Sequence, residues 1–422
     1  MRIPIEDYLA EALDAVRGRD DGEPADYISE LANADTEKLA IAIATLDGRT
    51  YSAGDSDYPF TIQSISKPFT YSMAIKYRGL DDVLQRIGVE PSGEAFNELS
   101  LEEGSKRPRN PMINAGAIVA HAMLGDTANE RWEKVHDGFC RLAGHDLQVD
   151  QEVYEAEMES AHRNLAIGHM LRNYDILVSD PEEVVHGYIR QCAIQVTTTD
   201  LALMTATLAN GGRQPQTGER VLSHEVVRQV LSVMTTCGMY DGTGEWIADV
   251  GIPAKSGVAG GIVGALPGQV GAATFSPRLD KQGNSVRGTL LFERLSHDMG
   301  MHMFEVPDAA RSVISSIRTV DSDEGPYRLY ELQGSLHFAS AERILRAIAE
   351  DDVQDMPVVV DIDDVFTIND VAGRMLLETF RRLAEEDRPV TIVDPDGLLR
   401  DIRPSDEFHY KVVDARPGLT EH

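Results

Sequence analysis

The sequence predicts a chain of mixed α+β and α/β architecture in two folded parts. Strand-like runs lie at both ends of the first part, and a long region of helical periodicity lies between them. This order predicts one sheet assembled from both ends of that part, with a helical domain inserted in the middle. Beyond an acidic segment, short strands and helices alternate, which predicts a small α/β domain.

The N-terminal elements follow from local spacing. Apolar residues recur at intervals of four, four and three positions and predict a first helix: Ile5, Leu9, Leu13 and Val16. Two extended runs, residues 38–46 and a run ending at Gly54, flank Asp47-Gly48. An Asp-Gly pair between such runs is typical of a hairpin.

The remaining elements of the first part are a helical region and a second group of strands. Helical periodicity extends from Ser64 to about Met234. Residues 261–275 and 285–292 then have strand-like patterns, and a helix is predicted near residues 294–304.

A polar, acidic segment ending in Gly-Pro predicts a domain boundary. We therefore divide the chain into a catalytic domain, residues 1–310, an acidic linker, residues 311–325, and a C-terminal domain, residues 326–422. In the last domain the predicted strands are 327–333, 358–362 and 389–393, and the predicted helices are 341–349 and 371–384. The longer helix has one apolar stripe, formed by Ala372, Leu376, Phe380 and Leu383.

The net charge of −31 excludes two classes of partner. Nucleic acids and anionic membrane faces both attract basic surfaces, so we predict neither as a partner. The three cysteines, Cys140, Cys192 and Cys237, are widely spaced and odd in number, which indicates free thiols. Free thiols and an N-terminus without a basic start and apolar run predict a cytoplasmic protein.

No metal or cofactor is predicted. His297 and His302 are five residues apart, a spacing that does not suit a helical metal pair, and no third ligand stands near them. No glycine-rich phosphate-binding motif is present either.

Ser64 and Lys67 form a Ser-x-x-Lys motif where a strand-like run gives way to a helix. Positions i and i+3 share a helix face, so both side chains point the same way. A serine hydroxyl needs a neighbouring base to act as a nucleophile, and a lysine in apolar surroundings loses its preference for the charged form. We therefore predict Ser64 as the nucleophile and Lys67 as its base.

Lys255-Ser256-Gly257 adds specificity to this motif. Ser-x-x-Lys by itself is weak, because an N-capping serine followed by a surface lysine gives the same pattern. Ser-x-x-Lys followed by Lys-Ser/Thr-Gly is the order found in serine penicillin-recognising enzymes, where the second motif lines the site from an edge strand. Lys255 is predicted to be a cation of the site, with a supporting position behind it as the alternative.

Nine stretches of the chain match one family in register: Ala25-Asp-Tyr27-Ile, Gln63-Ser64-Ile-Ser-Lys67-Pro, Val89-Glu-Pro-Ser-Gly, Asn110-Pro-Met-Ile-Asn114-Ala-Gly-Ala-Ile, Arg163-Asn164-Leu-Ala-Ile-Gly, Thr207-Leu-Ala-Asn-Gly-Gly, Cys237-Gly-Met-Tyr240-Asp, Pro253-Ala-Lys-Ser-Gly-Val258-Ala-Gly-Gly-Ile and Leu279-Asp-Lys-Gln-Gly-Asn-Ser. In these stretches the chain resembles the serine-dependent glutaminases of bacteria and mitochondria. The resemblance covers roughly residues 20–305.

This resemblance implies a reaction, a fold and an assembly. The reaction is hydrolysis of L-glutamine to L-glutamate and ammonia through a γ-glutamyl-Ser64 intermediate, without a cofactor. The fold is β-lactamase-like, with the site between the sheet domain and the helical domain. The family also implies a homo-oligomer, either a dimer or a tetramer.

The resemblance further implies which residues contact glutamine: Ser64, Tyr27, Asn114, Glu157, Asn164, Tyr188, Tyr240 and Val258. Among them, the acidic residue pairs with the substrate ammonium, and the two asparagines and Tyr188 orient the polar groups. The backbone N–H groups of Ser64 and Val258 form the oxyanion hole. Tyr240 passes a proton to the departing ammonia, and Tyr27 closes the pocket.

The acidic position is the least certain match, because Glu155, Glu157 and Glu159 are closely spaced. Counting back from Arg163-Asn164 selects Glu157, and Glu159 is the alternative.

The C-terminal domain resembles a STAS domain, the fold of anti-sigma-factor antagonists. The matching stretches are Gly334-Ser-Leu-His-Phe-Ala-Ser-Ala-Glu-Arg, Val358-Val-Val-Asp-Ile-Asp-Asp-Val, Ile368-Asn-Asp370-Val371-Ala-Gly373 and Val390-Thr-Ile-Val-Asp. Signalling members often carry a phosphorylatable Ser or Thr after the Asp at the helix start. Val371 occupies that position here, so the usual phosphorylation switch is not expected. The ligand of this domain is left open between a partner protein, a small anion at the helix start and another subunit, and a structural or assembly role is the alternative.

Two other functions fit parts of the sequence. A penicillin-recognising hydrolase would use the same Ser-x-x-Lys and Lys-Ser-Gly motifs. A regulatory protein driven by the STAS-like domain would carry an inactive enzyme domain.

Overall fold

The computed structural model describes residues 5–93, 99–305, 313–322, 325–336, 338–353, 356–400, 402 and 410–416. The chain divides into two compact units, Met1–Glu305 and Val306–His422. We call them the large unit and the small unit.

The large unit is built on a five-stranded antiparallel sheet. Its strands are β1 (Ala40–Thr45), β2 (Thr50–Gly54), β5 (Ala254–Ser256), β6 (Gly261–Leu266) and β7 (Val270–Phe275), in the spatial order β2-β1-β7-β6-β5. A separate two-stranded pair joins β3 (Phe60–Thr61) to β4 (Gln195–Val196). The predicted hairpin and the predicted sheet assembled from both ends of the region are thus confirmed.

The described part of the large unit also contains thirteen α-helices. They are α1 (Ile5–Arg17), α2 (Ser29–Ala32), α3 (Ser66–Arg78), α4 (Leu80–Arg86), α5 (Asn114–Ala122), α6 (Ala128–Ala143), α7 (Gln151–Glu159), α8 (His162–Asn173), α9 (Pro181–Cys192), α10 (Thr198–Ala209), α11 (His224–Cys237), α12 (Thr243–Asp249) and α13 (Val286–Met299). Most lie between β3 and β5 in sequence, as predicted for an inserted helical domain. Helices α1, α10, α11 and α13 contact the five-stranded sheet.

The two faces of the sheet bury different side chains. In β1, Ile41 and Ile43 pack in the same core as Leu9 of α1 and Leu291 of α13. The alternating alanines of β1 face the other core, which contains the largely buried α10. This two-residue alternation is what a sheet covered on both faces requires.

Small residues let α10 lie directly on the sheet. A Cβ atom placed on Gly271 of β7 would lie 2.1 Å from the backbone nitrogen of Ala206 and 2.5 Å from the carbonyl oxygen of Ala202. Both atoms belong to the backbone of α10, so no side-chain movement can relieve this contact.

The prediction of a strand at residues 285–292 is wrong, because this segment is the first half of α13. Ser285 is its N-cap, and its hydroxyl accepts a hydrogen bond from the N–H of Gly288 at 3.2 Å. The apolar residues Leu291, Phe292 and Leu295 are buried at helical spacing on the sheet. The cap and the tertiary packing override the strand-like run of residues.

The small unit has a five-stranded mixed sheet in the order β12-β11-β10-β9-β8. Its strands are β8 (Ile314–Val320), β9 (Tyr327–Leu336), β10 (Val358–Ile368), β11 (Val390–Val393) and β12 (Lys411–Val413). The pairing of β8 with β9 is antiparallel, and the other pairings are parallel. Its helices are α14 (Phe338–Ala349) and α15 (Asp370–Glu385).

Most elements of the small unit match the sequence-based prediction. The apolar stripe of α15 is buried, with Leu376, Phe380 and Leu383 in the core that contains Ile344 of α14. The predicted linker, residues 311–325, needs correction because β8 occupies its centre. In β8, an edge strand, two polar residues separate each apolar residue from the next, which is not a strand pattern, and its pairing with β9 decides its structure. The side chain of Val371 lies outside the described residues.

Within the described ranges, none of the helices has both the length and the apolar character needed to cross a membrane. The same residues contain no group of three or more His, Cys, Asp and Glu side chains arranged to hold a metal ion.

Replacing Gly271 with Ala is expected to destabilise the large unit by about 1–3 kcal/mol, because the added methyl group collides with backbone atoms of α10. Urea unfolding followed by tryptophan fluorescence measures this, since Trp132 and Trp246 are the two tryptophans and both belong to the large unit.

The matched control is Gly244→Ala. Gly244 is in α12, and a Cβ there meets no atom within 4 Å. Alanine favours a helix over glycine by about 1 kcal/mol, so this variant should be as stable as the wild type or more so. Equal stability of Gly271→Ala and wild type would show that α10 does not rest on β7 in this way.

Candidate active site

Ser64 lies in a tight turn that the fold holds rigidly. A 3₁₀ turn, Gln63–Ile65, connects β3 directly to α3, and Ser64 is 7% exposed. Ile62 and Ile65, on either side, are fully buried. Gln63 has φ of 50°, a left-handed conformation that costs energy for a residue with a side chain. Such strain persists only where the surrounding structure imposes it.

Lys67 begins the first turn of α3 and is completely buried. Its Nζ donates to Asn114 Oδ1 at 2.7 Å and to the carbonyl oxygen of Met112 at 3.2 Å. Burial lowers the pKa of Lys67 to about 8. A substantial fraction of this amine is therefore neutral near physiological pH and can accept a proton.

A cavity of about 270 Å³ opens beside Ser64. Residues from several helices and from the β5–β6 turn line it: Tyr27, Gln63, Ser64, Asn114, Glu157, Ser160, Ala161, Arg163, Asn164, Tyr188, Ile189, Cys192 and Val258. Tyr27 lies at the mouth and is 49% exposed, whereas Asn114, Glu157 and Tyr188 are buried. The cavity has the size and the polar lining that suit a small polar molecule.

Asn114, the first residue of α5, connects the helices that surround the cavity. Its Oδ1 accepts from Lys67, and also from the hydroxyl of Tyr188 at 3.4 Å. Its Nδ2 donates to Asn164 Oδ1 at 3.0 Å. The amide thus fixes the position of the buried amine relative to α8 and α9.

Glu157 is the acidic residue that the fold brings to the cavity. It is 9% exposed, and burial raises the pKa of its carboxyl to about 7, against a smaller lowering by a hydrogen bond with Gln63. Glu159 is exposed and is not among the lining residues. A cationic ligand group would stabilise the ionised form of Glu157.

Tyr240 is not one of the residues that line the cavity, but its side chain contacts Ser64. Its φ of 57° places it, like Gln63, in the left-handed region. The phenol hydroxyl donates to the carbonyl oxygen of Ser256 at 3.3 Å, and it also hydrogen-bonds with the side chain of Ser64. Burial raises the pKa of Tyr240 to about 12, so the phenol keeps its proton.

Lys255 lies behind Tyr240 rather than among the lining residues. Its Nζ is 3.9 Å from the centroid of the Tyr240 ring and donates to the Ser256 carbonyl oxygen at 2.8 Å. Burial, and then the charge of Lys67, hold the pKa of Lys255 well below its usual range. The geometry therefore agrees with the alternative of a supporting position.

All the sequence-predicted site residues are brought to one place. The cavity lining contains Ser64, Tyr27, Asn114, Glu157, Asn164, Tyr188 and Val258, whereas Lys67, Tyr240 and Lys255 lie against it through the contacts above.

Sequence reasoning missed six lining residues: Gln63, Ser160, Ala161, Arg163, Ile189 and Cys192. The sequence could have indicated two of these residues. Gln63 adjoins the nucleophile, and Cys192 follows Tyr188 by four residues, which places both on one face of α9.

The fold encloses a cavity that suits a small polar molecule, and the hydroxyl-bearing Ser64 is among its lining residues. A sequence model of the family described as Glutaminase matches residues 22–304. A glutaminase of Corynebacterium glutamicum (strain ATCC 13032) is 48% identical over 409 residues, covering 96% of this chain and 98% of that protein.

Two solved structures are also similar to this chain over most of its length. A crystal structure of Mglu has a TM-score of 0.87 and 47% sequence identity, covering 94% of this chain and 99% of that one. Mglu in its L-glutamate binding form, in the presence of 4.3 M NaCl, has a TM-score of 0.86 and 42% identity, covering 94% of this chain and 100% of that one.

This chain belongs to the glutaminase family. It is a hydrolase that converts L-glutamine to L-glutamate and ammonia.

Replacing Glu157 with Gln is expected to stabilise the free enzyme at alkaline pH while weakening glutamine binding. Because the folded-state pKa of Glu157 is raised from 4.5 to about 7, the wild type loses stability as pH rises through this interval. The loss amounts to about 3 kcal/mol above pH 7. The neutral amide of the Glu157→Gln variant does not titrate, so the variant avoids this loss.

The measurement is the free energy of unfolding at pH 5 and at pH 8, with KM for glutamine at pH 8. Glu159→Gln, an exposed position on the same helix, is the control and should change neither quantity. A Glu157→Gln protein that is no more stable than wild type at pH 8 would contradict the burial argument.

Proposed function

We propose that hydrolysis proceeds through a γ-glutamyl-Ser64 intermediate with Lys67 as the proton acceptor. The observation that carries this proposal is the fully buried amine of Lys67, one turn after Ser64, with its pKa lowered to about 8. The neutral amine removes the Ser64 proton as Oγ attacks the side-chain amide carbon of glutamine. Water then attacks the acyl carbon and releases glutamate.

The substrate orientation follows from charge and hydrogen-bonding capacity. The carboxylate of Glu157 pairs with the α-ammonium group of glutamine, which restores its ionised form. Asn164 and Tyr188 bind the other polar groups. The backbone N–H groups of Ser64 and Val258 stabilise the oxyanion of the tetrahedral intermediate.

Tyr240 supplies the proton to departing ammonia; its phenolate then takes a proton from the attacking water, and the protonated amine of Lys67 returns its proton to Ser64 Oγ. The support for this role is its hydrogen bond with Ser64, together with a pKa of about 12 that keeps the phenol protonated. Lys255, against the ring of Tyr240, orients the phenol. Tyr27, half-exposed at the mouth, closes over bound substrate.

We also propose that the large unit has the β-lactamase-like arrangement. Two placements support this: Ser64 and Lys67 lie at the start of the helical insertion, and Lys255 lies on β5, the edge strand of the sheet. A penicillin-recognising hydrolase shares this arrangement, but the glutaminase relatives match nearly the whole chain and decide between the two.

For the small unit we propose a STAS-type domain with a partner-binding or assembly role. Two features support that proposal: the parallel pairings that join β9, β10, β11 and β12, and the neighbouring helices whose apolar faces share one core.

We further propose that the protein is a homo-oligomer, a dimer or a tetramer. We place it in the cytoplasm, where the free thiols Cys140, Cys192 and Cys237 stay reduced. Sedimentation velocity of the purified protein tests the assembly.

Ser64→Ala and Lys67→Met are expected to abolish ammonia release from glutamine. Removal of a general base costs about 10²–10⁴-fold in kcat, and loss of the nucleophile costs at least as much. For the wild type, kcat should rise with pH through about 8 as the Lys67 amine loses its proton.

Lys76→Met is the matched control, because Lys76 is on the same helix and outside the site. It should keep wild-type kcat. Full activity of Ser64→Ala would refute the covalent route, whereas penicillin-type β-lactam hydrolysis without glutamine turnover would refute the substrate.

A chain ending at Glu305 is expected to keep kcat within about twofold of the full chain. The family model ends at residue 304, and every residue assigned to the reaction belongs to the large unit. The comparison is made at equal concentrations of folded protein. Loss of ammonia release in a folded truncated protein would give the small unit a direct part in catalysis.

A further inference from the structure

A chain of buried polar side chains connects three helices behind the catalytic turn. Gln191 of α9 donates from Nε2 to Ser66 Oγ at 3.0 Å, and its Oε1 lies 3.0 Å from Nδ1 of His121, on α5. Ser66 Oγ is in turn 4.0 Å from the sulfur of Cys192. Gln191 and Ser66 are completely buried, and His121 is 1% exposed.

The direction of these hydrogen bonds follows from the chemistry of the groups. Burial lowers the pKa of His121 to about 4, so the imidazole is neutral. Because Gln191 Oε1 can only accept, His121 Nδ1 carries the proton and donates it. Ser66 accepts from Gln191, which leaves its own hydrogen for Cys192, a lining residue of the cavity.

The absence of a side chain at Gly187 also lets His121 pack closely against α9. A Cβ on Gly187 would lie 2.3 Å from His121 Nε2, so α9 approaches this imidazole only because residue 187 is glycine. His121 Nε2 has no hydrogen-bond partner among the described residues. The hydrogen bond of Nδ1 with Gln191 therefore orients the ring.

We propose that Gln191 is a positioning residue for catalysis: it clamps Ser66, and with it the turn that carries Ser64 and Lys67, against the helices that form the substrate pocket. Ser66 lies between the nucleophile and the base in sequence. Gln191 lies between the lining residues Tyr188 and Cys192 on α9. One amide therefore fixes the reacting hydroxyl relative to the pocket wall.

This inference rests on the proposed roles of Ser64 and Lys67 and goes beyond them. A shift of about 1 Å in a reacting group costs about 100-fold in rate. Loss of the clamp should therefore affect kcat. It should leave KM for glutamine nearly unchanged, because Gln191 does not line the cavity.

The first experiment is a double-mutant cycle of Gln191→Met and Ser66→Ala, with kcat and KM measured per folded enzyme. We expect Gln191→Met to lower kcat at least tenfold with KM changed less than about threefold. The double variant should be no slower than the slower single variant, since both changes remove one interaction. A kcat within twofold of wild type, or single effects that multiply in the double variant, overturns the proposal.

Gln214→Met is the matched control. Gln214 is also completely buried, and its Oε1 accepts from the backbone N–H groups of Gln216 and Thr217, outside the cavity lining. It should lower the melting temperature without changing kcat of the folded enzyme. If it lowers kcat as much as Gln191→Met does, the effect is one of general packing and the proposal fails.

The second experiment uses Gln191→Glu, which decides the question even if Gln191→Met does not fold. A protonated carboxyl can donate to Ser66 and accept from His121, as the amide does, whereas a buried carboxylate can only accept, so that Ser66 must turn its hydrogen from Cys192 to residue 191. The kcat of this variant relative to wild type at the same pH should therefore be highest at acidic pH and fall as pH rises. A ratio independent of pH overturns the clamp. If Ser64→Ala is inactive while the Gln191 variants keep the kcat of wild type, the proposed reaction stands and only this inference is refuted.

Discussion

The site depends on placing the amine of Lys67 inside the protein beside neutral acceptors. These acceptors are an amide oxygen, from Asn114, and a backbone carbonyl, from Met112. A carboxylate at either position would hold the charged form and raise the pKa. Neutral acceptors satisfy the donors of the amine while burial still favours the uncharged state. Asparagine at position 114 therefore suits the proton transfer that we propose for Lys67, because its amide oxygen accepts from the amine without adding a charge.

Backbone strain on two sides of the nucleophile accompanies this burial. Gln63 and Tyr240 both have positive φ, and both hydrogen-bond with groups of the site, Glu157 and Ser64 respectively. Each such conformation costs of order 1–3 kcal/mol. The packed helices and the five-stranded sheet supply the stability that maintains both conformations.

Much of the fold could be predicted from the sequence, because helical and strand periodicities are local. The hairpin at Asp47-Gly48 and the stripe on α15 are examples. The strand-like pattern at residues 285–292 gave a wrong prediction, because the cap at Ser285 and burial against the sheet make this segment a helix. Strand β8 was missed because its pairing with β9, rather than its own composition, makes it a strand.

The residues that gather at the cavity were predictable from motif order and family resemblance. Their geometry was not. The position of Lys255 behind Tyr240, and the bonds among His121, Gln191 and Ser66, join segments far apart in sequence. No local spacing encodes such contacts, because they depend on how the helices pack.

The assembly of the large sheet from both ends of the unit also sets when this protein can become active during its synthesis. Thr45 of β1 pairs with Val270 of β7, which the ribosome adds about 225 residues later. At roughly 5–20 residues per second, the first hairpin waits for roughly ten to forty-five seconds before its neighbouring strand exists. Throughout that interval the edge of β1 that faces β7 is unpaired, and for most of it Val258 and the strand of Lys255 have not yet been synthesised. A nascent chain therefore carries Ser64 long before it can hydrolyse glutamine, and during that time its open strand edge can pair with another chain.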